Sequence, residues 1–385
     1  MKTAPETSQN GTSHYIHVTG ICGVGTSPIA IAFHKKGWRV TGSDKGFYPP
    51  VSTHLSEAGI SYYPGWHPEN IAAAGRPDFI MAGGVGTASS NPELIYAKEQ
   101  NIPVYPFAQV LQKYFIKKNS IVVVGTWGKT TSSSLLSYIL LRAGMDPSYF
   151  TGGISLSHDT GALGDGDWSV VEGDEYQTAI WDKRPKFAYY EPTHLLLTSV
   201  SWDHADLYPT EQAYFDTFRD LVQRVLDKKS ADGKSAGSIV ACTDDAGVQK
   251  VLKKGPGIIT YGSSPDADYR YHSVTVSTAG ISFSIDHAGS THVVSSPMLG
   301  RFNVENMAGC FAMAHSIGIS PEQIMGAIAD FKGIKRRLEK RYDSDAEENA
   351  GGNERGKGIT VFDCHAPTPE KAMSVLESLR EVYKN

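Results

Sequence analysis

Residues 121–140, IVVVGTWGKTTSSSLLSYIL, constrain the fold more than any other stretch. Ile121 to Val124 form a short apolar run of the kind a buried parallel strand needs. Gly125, Thr126, Trp127 and Gly128 then make a tight glycine turn. Lys129 and Thr130 open a segment in which Leu135, Leu136, Ile139 and Leu140 recur at helical spacing. Strand, turn and helix start in that order make a cradle for phosphate. Backbone N–H groups and the positive helix end face the anion, a lysine reaches the terminal phosphates, and a threonine hydroxyl can ligate magnesium. The G-x-x-G-K-T spacing is shorter by two than the common phosphate loop, and a glycine turn with a surface lysine is the competing reading.

At 385 residues the chain exceeds one ordinary domain, and two or three are expected. A net charge of −5 with no long basic run argues against nucleic acid or an anionic membrane as partner, leaving small anionic ligands. No apolar run approaches the ~20 residues of a membrane span. Residues 1–14 are polar without an apolar core and read as a disordered lead, not a signal peptide. Cys22, Cys242, Cys310 and Cys364 lack C-x-x-C spacing, which fits separate reduced thiols in a cytoplasmic protein.

Upstream, residues 15–117 repeat the strand–turn–helix theme. YIHVTGICGVG is a strand followed by Gly20, Gly23 and Gly25, and a helix is expected from Pro28 to Lys36. A strand at Trp38 to Val40 leads to Asp44, about 19 residues past the last glycine, where an acid commonly meets a ribose hydroxyl. The glycines fall short of the full G-x-G-x-x-G, so a plain connecting turn remains open. Strands at 79–81 and 104–106 and a helix at 91–100 complete an α/β unit suited to a nucleotide.

The second domain is expected over 118–342. Its strand WSVVE ends in Glu172, Asp174 and Glu175, a carboxylate group suited to magnesium, or else a solvated acidic turn. A strand at 195–200 leads to Asp203 and His204, the latter a metal or water ligand or a capping or core histidine. Residues 238–294 read as strands exposed on one face. Asn303 and Asn306 stand one turn apart at a helix start, both able to project to one side, or Asn303 to cap. Arg336 and Arg337 follow a later helix and could clamp phosphate or form a solvated basic patch. Residues 343–358 read as a flexible linker, and 359–385 hold one strand and one helix, too little to bury a parallel strand on both faces.

GTWGKTT, EGDEY, WDHAD, GRFNVEN and FKGIKRRLE, in this order, resemble the Mur ligases, ATP-dependent amide-forming enzymes of bacterial cell-wall synthesis. HVTGICGVG, GSDKGFYPPVSTHL and EYQTAIWDKRPKF resemble the branch that takes UDP-N-acetylmuramate as its carboxylate substrate. The resemblance implies an α/β architecture: a Rossmann-like UDP-N-acetylmuramate domain, a central phosphate-loop domain, and only a stub of a third Rossmann-like domain. It implies ATP and Mg2+ as cofactors, with L-alanine or the peptide L-Ala-γ-D-Glu-meso-diaminopimelate as the amine. Gly125, Thr126, Gly128, Lys129, Thr130 and Thr131 would hold the phosphates, Asn303 and Asn306 the adenine, and Arg337 would face the phosphates. Thr130, Glu172 and His204 would ligate metal, with Lys129, Glu172 and His204 catalytic. Gly20, Gly23, Gly25, Asp44, Tyr176 and Arg184 would bind the substrate.

Several residues depart from that pattern. Trp127 stands where the family has a histidine, Ser199 where it has an asparagine, and Phe302 where it has a histidine. In the stretch DCHAPTP, 363–369, Cys364 replaces an acid, and Pro367 and Thr368 replace two histidines. A separate C-terminal polypeptide or a homo-oligomer could complete the third domain. The second reading is a non-catalytic relative that binds nucleotide or UDP-sugar.

Overall fold

The computed structural model describes residues 14–84, 90–228, 237–253, 255–343, 359–366 and 369–383. The expected lead lies outside these apart from His14, as does the expected linker apart from Asp343. Pro367 and Thr368 are also outside.

The N-terminal domain is a parallel sheet of β1 (Tyr15–Thr19), β2 (Arg39–Asp44), β3 (Ser61–Pro64), β4 (Phe79–Ala82) and β5 (Val104–Pro106), in the order β3-β2-β1-β4-β5. Between and after the strands run α1 (Thr26–Lys35), α2 (Val51–Glu57), α3 (Pro68–Ala74), α4 (Pro92–Glu99) and α5 (Phe107–Val110). Strand order reverses between β1 and β4, so a crevice opens at their carboxyl ends. Gly20 sits there at φ +77°, and a Cβ on it would lie 2.7 Å from the Gly83 carbonyl oxygen. β2 runs well past the expected Val40 because Thr41, Gly42 and Ser43 pair with His17, Val18 and Thr19.

The central domain carries a ten-stranded sheet. Its strands are β6 (Asn119–Val124), β7 (Ser148–Phe150), β8 (Gly161–Ala162), β9 (Trp168–Glu172), β12 (His194–Leu197), β13 (Ile239–Cys242), β14 (Ile258–Gly262), β15 (Tyr269–Ser277), β16 (Gly280–His287) and β17 (Ser290–Ser296). The order is β17-β16-β15-β14-β13-β12-β6-β9-β7-β8, and β10 (Gln177–Ala179) and β11 (Asp182–Pro185) make a separate hairpin. β6 therefore lies inside the sheet, parallel to both β12 and β9. Its apolar run is continuous because both faces are covered. Ile121 and Val123 pack towards α6 (Lys129–Arg142), α9 (Phe302–Ser316) and α10 (Pro321–Asp330). Val122 and Val124 join a core with α7 (Glu211–Leu226) and α8 (Ala246–Val251), which continues into the N-terminal domain through Phe107 and Phe150. β15 to β17 form an antiparallel meander, and β15 exposes alternate residues towards its end, as its alternation predicts.

The C-terminal strand is not alone. β18 (Glu339–Asp343) pairs antiparallel with β19 (Thr360–Asp363), Glu339 opposite Asp363. An antiparallel partner satisfies one edge of the strand without a parallel sheet, and it comes from residues grouped by sequence with the central domain. Helix α11 (Pro369–Val382) follows, tied to the start of α9 by the Arg301–Glu381 ion pair at 2.8 Å. Among the described residues no helix is long and apolar enough to cross a membrane.

Candidate active site

The turn between β6 and α6 is held by the end of β12. The expected strand stops at Leu197, since the next two side chains turn to grip the loop. Thr198 Oγ1 donates to the Trp127 carbonyl at 2.5 Å, and the Trp127 N–H donates to Ser199 Oγ at 2.8 Å. Ser199, a departure from the family pattern, thus has work of its own. Thr126 donates to the Ser201 carbonyl at 2.9 Å and meets the Tyr214 hydroxyl at 3.0 Å. Gly128 opens α6 at φ +83° with no side-chain cap. The first N–H groups of the helix, Thr130 and Thr131 among them, have no intrahelical acceptor and are available to an anion.

The three acids after β9 have separate partners. Lys129 Nζ lies 2.7 Å from Glu175 Oε2 and also donates to the Gly125 carbonyl at 2.5 Å. Burial works to lower the Lys129 pKa, but Glu175, Asp174 and Glu172 outweigh it and hold the ammonium above its ordinary value. Asp174 takes Lys186 at 2.6 Å; burial opposes its charge, yet Lys186 and Lys129 keep its carboxyl below the usual range. Glu172 accepts from the Gly152 N–H at 2.8 Å, from Thr130 Oγ1 at 3.3 Å and from Ser133 Oγ at 3.5 Å, and burial raises its pKa.

Thr130 and Glu172 are therefore together, a hydroxyl and a carboxylate of the hard oxygen type that magnesium takes. His204, held at φ +55°, faces Glu175 with Nε2 3.8 Å from Oε1 and lies beside the Tyr176 ring at 4.9 Å. Among the described residues no group of three or more His, Cys, Asp or Glu side chains is arranged to hold a metal ion. The donors fit a cation that completes its shell with phosphate and water, not a closed protein cage.

On α9, Asn306 reaches the loop: a Cβ on Gly128 would lie 2.4 Å from Asn306 Oδ1, and Ser132 donates to the same oxygen at 3.4 Å. Asn303 does not cap the helix. It is already helical, donates to the Leu299 carbonyl at 2.7 Å and accepts from Asn306 Nδ2 at 3.0 Å. Arg337 is exposed and donates to the His365 carbonyl at 3.2 Å. Between the two asparagines stands Glu305, whose pKa burial, Asp244 and Asp245 push up to about 7. The folded state thus holds this proton more tightly than the unfolded chain, so the group favours folding at low pH and that contribution is lost as pH rises through about 7. Glu305→Gln is expected to raise Tm at pH 8 and leave it nearly unchanged at pH 4, the gain reaching about 3 kcal/mol. Thermal unfolding at both pH values checks this.

The remaining predicted residues divide between two places. Gly20, Gly23 and Gly25 form the turn at the N-terminal crevice, where Asp44 Oδ2 accepts the Cys22 N–H at 2.9 Å and Oδ1 the Lys45 N–H at 2.7 Å. Asp44 thus shapes the glycine turn. Tyr176 donates to Asp206 at 3.1 Å near His204. Arg184 bonds Asp182 and the Tyr189 hydroxyl, both at 2.7 Å, on the exposed hairpin, and its guanidinium holds Asp182 down to about 2. Glu175, grouped by sequence with Glu172 and Asp174 as suited to magnesium, is instead paired with Lys129, and Thr198 and Ser199 carry loop contacts that sequence reasoning left unassigned.

Residues 15–118 match the Mur ligase family catalytic domain and residues 123–314 the Mur ligase middle domain. A UDP-N-acetylmuramate–L-alanine ligase from Bradyrhizobium sp. is 35% identical over 378 residues, 95% of this chain and 74% of the relative. A UDP-N-acetylmuramate–L-alanyl-gamma-D-glutamyl-meso-2,6-diaminoheptandioate ligase from Haemophilus influenzae is 29% identical over 370 residues, 95% of this chain and 76% of the relative. The crystal structure of a UDP-N-acetylmuramate:L-alanyl-gamma-D-glutamyl-meso-diaminopimelate ligase from Neisseria meningitides superposes with a TM-score of 0.73 at 27% identity, covering 84% of this chain and 100% of that one. The two family matches lie on the two domains that hold the glycine turn and the phosphate loop, and the chain belongs to the Mur ligase family.

Proposed function

We propose that the chain uses ATP to join the carboxylate of UDP-N-acetylmuramate to an amine, that of L-alanine or of the peptide L-Ala-γ-D-Glu-meso-diaminopimelate. The observation that carries this reading is the placement of Lys129, Thr130 and Glu172 at the adjoining ends of β6 and β9, beside the uncapped start of α6, whose first N–H groups have no intrahelical acceptor. In the proposed reaction the sugar carboxylate attacks the γ-phosphorus and ADP leaves, giving an acyl phosphate. The amine nitrogen then attacks the acyl carbon, inorganic phosphate leaves, and the amine gives up a proton. Such a path asks the protein to position reactants and neutralise charge, not to form covalent bonds.

The α6 N–H groups and Lys129 would grip the phosphates, Lys129 exchanging Glu175 for the nucleotide. Thr130 and Glu172 would hold Mg2+, which when bound offsets phosphate charge. Asn306 would meet the adenine, and the Gly20–Gly25 turn with Asp44 would hold the UDP portion. The outward position of Arg337, bonded to the His365 carbonyl, favours a second reading in which the chain binds nucleotide and UDP-sugar without turnover.

Phosphate release in the presence of ATP, Mg2+ and UDP-N-acetylmuramate, with L-alanine or the tripeptide in parallel arms, tests both. Release dependent on one amine is expected and identifies it. Binding of ATP and sugar nucleotide without release would support the second reading, and failure to bind ATP–Mg would overturn both.

A further inference from the structure

Glu93, His17 and Ser43 form a fully buried polar cluster inside the N-terminal domain. Glu93 lies in the first turn of α4, behind the Asn91 cap that accepts its N–H at 2.9 Å. Its Oε2 accepts the Ser43 hydroxyl at 2.6 Å and lies 3.5 Å from His17 Nε2, and its Oε1 accepts the His67 N–H at 3.1 Å. A buried carboxylate is unfavourable unless its partners hold it, and breaking such a set leaves unpaired donors behind.

What those partners do gives the cluster its meaning. The Ser43 carbonyl accepts the N–H groups of Gly20 at 2.8 Å and Ile21 at 3.1 Å, the first residues of the glycine turn. The next residue, Asp44, accepts the Cys22 N–H through its side chain and the Gly65 N–H through its carbonyl at 2.8 Å. The end of β2 thus holds the glycine turn, and Glu93 holds the end of β2. α4 follows β4, on the far side of the crevice from β2 and from His67 at the start of α3. One carboxylate therefore spans the point where strand order reverses, which is where open α/β sheets take their ligands.

We infer that Glu93 is a positioning residue for the UDP-sugar: it braces the end of β2 and the start of α3 against α4 and fixes the Gly20–Gly25 turn in the shape that receives the diphosphate. The inference rests on the UDP-N-acetylmuramate reading above. Calorimetric titration of the whole chain with UDP-N-acetylmuramate and, separately, with ATP tests it on wild type, Glu93→Ala, Glu93→Gln and Ser43→Ala. Ile102→Ala, in a small cluster with Ile71, Ile80 and Ala97, serves as a buried control.

Glu93→Ala is expected to weaken sugar-nucleotide binding about tenfold or more, with ATP affinity unchanged. Glu93→Gln should recover much of the loss, because its amide oxygen can still accept one of the two bonds. Ser43→Ala, a small change that keeps the His67 bond, should show a loss of several-fold even where Glu93→Ala does not fold. Ile102→Ala should lower Tm without altering either affinity. Wild-type affinity in Ser43→Ala and in every folded Glu93 variant, or an equal loss in Ile102→Ala, overturns the positioning role. Absence of UDP-N-acetylmuramate binding by wild type overturns the site reading itself, and this inference with it.

Discussion

Lys129→Ala is expected to reduce ATP-dependent phosphate release by about 10³-fold or more, since in the proposed reaction Lys129 is the cation that would offset charge at the transferring phosphoryl group. The same change strands Glu175, 2% exposed, without its ammonium partner. Removing one partner of a buried pair typically costs about 3–5 kcal/mol, so the variant should also unfold at lower temperature. The two effects separate in the double variant Lys129→Ala/Glu175→Gln, which no longer buries an unpaired charge. It should regain most of the stability and none of the activity. Unaltered ATP affinity in the single variant would remove Lys129 from the phosphate site.

Gly125→Ala is expected to abolish nucleotide binding, with a loss of at least about 100-fold. Gly125 sits at φ +142°, and an added Cβ would lie 2.2 Å from Thr198 Oγ1 and 2.8 Å from both the nitrogen and the carbonyl oxygen of Ser199. Two of those three atoms are backbone on the neighbouring strand end, so relief requires moving β12 away from β6. Gly144→Ala is the matched control. It has φ +74°, past the end of α6, but open space around its Cβ position. It should cost about 1 kcal/mol of backbone strain and leave nucleotide titrations unchanged. Equal loss of binding in both variants would show that strain alone, not the close approach of the two strands, governs the loop.

The strand–turn–helix at 121–140 was legible because all its signals are local: four β-formers, two glycines and a helical repeat within 20 residues. What the acids of EGDEY do was not legible. Glu172, Asp174 and Glu175 share charge and crowding, and only the turn after β9 sends one to Thr130, one to Lys186 and one to Lys129. Strand β18 was hidden for a related reason. EKRYD reads as a solvated charged stretch, and its partner β19 begins 17 residues beyond its end. Glu93, in the helix expected at 91–100, drew no reading from its neighbours in sequence. Its burial depends on Ser43, 50 residues earlier, and no local pattern reports such a partner.

The position of β8 has a consequence for how molecules of this protein meet one another. A ten-stranded sheet has two open margins, and a long bare margin is a template on which another chain can hydrogen-bond. On one side the sheet dwindles to β8, two residues long, and α1 lies against it, with Pro28 within 3.5 Å of the Cβ position of Gly161. The ion pairs Lys35–Asp159 and Lys36–Asp165 fasten the same helix beside that margin. The helix that begins at the glycine turn therefore also acts as a stopper, keeping the larger sheet from growing by the addition of strands from a neighbour.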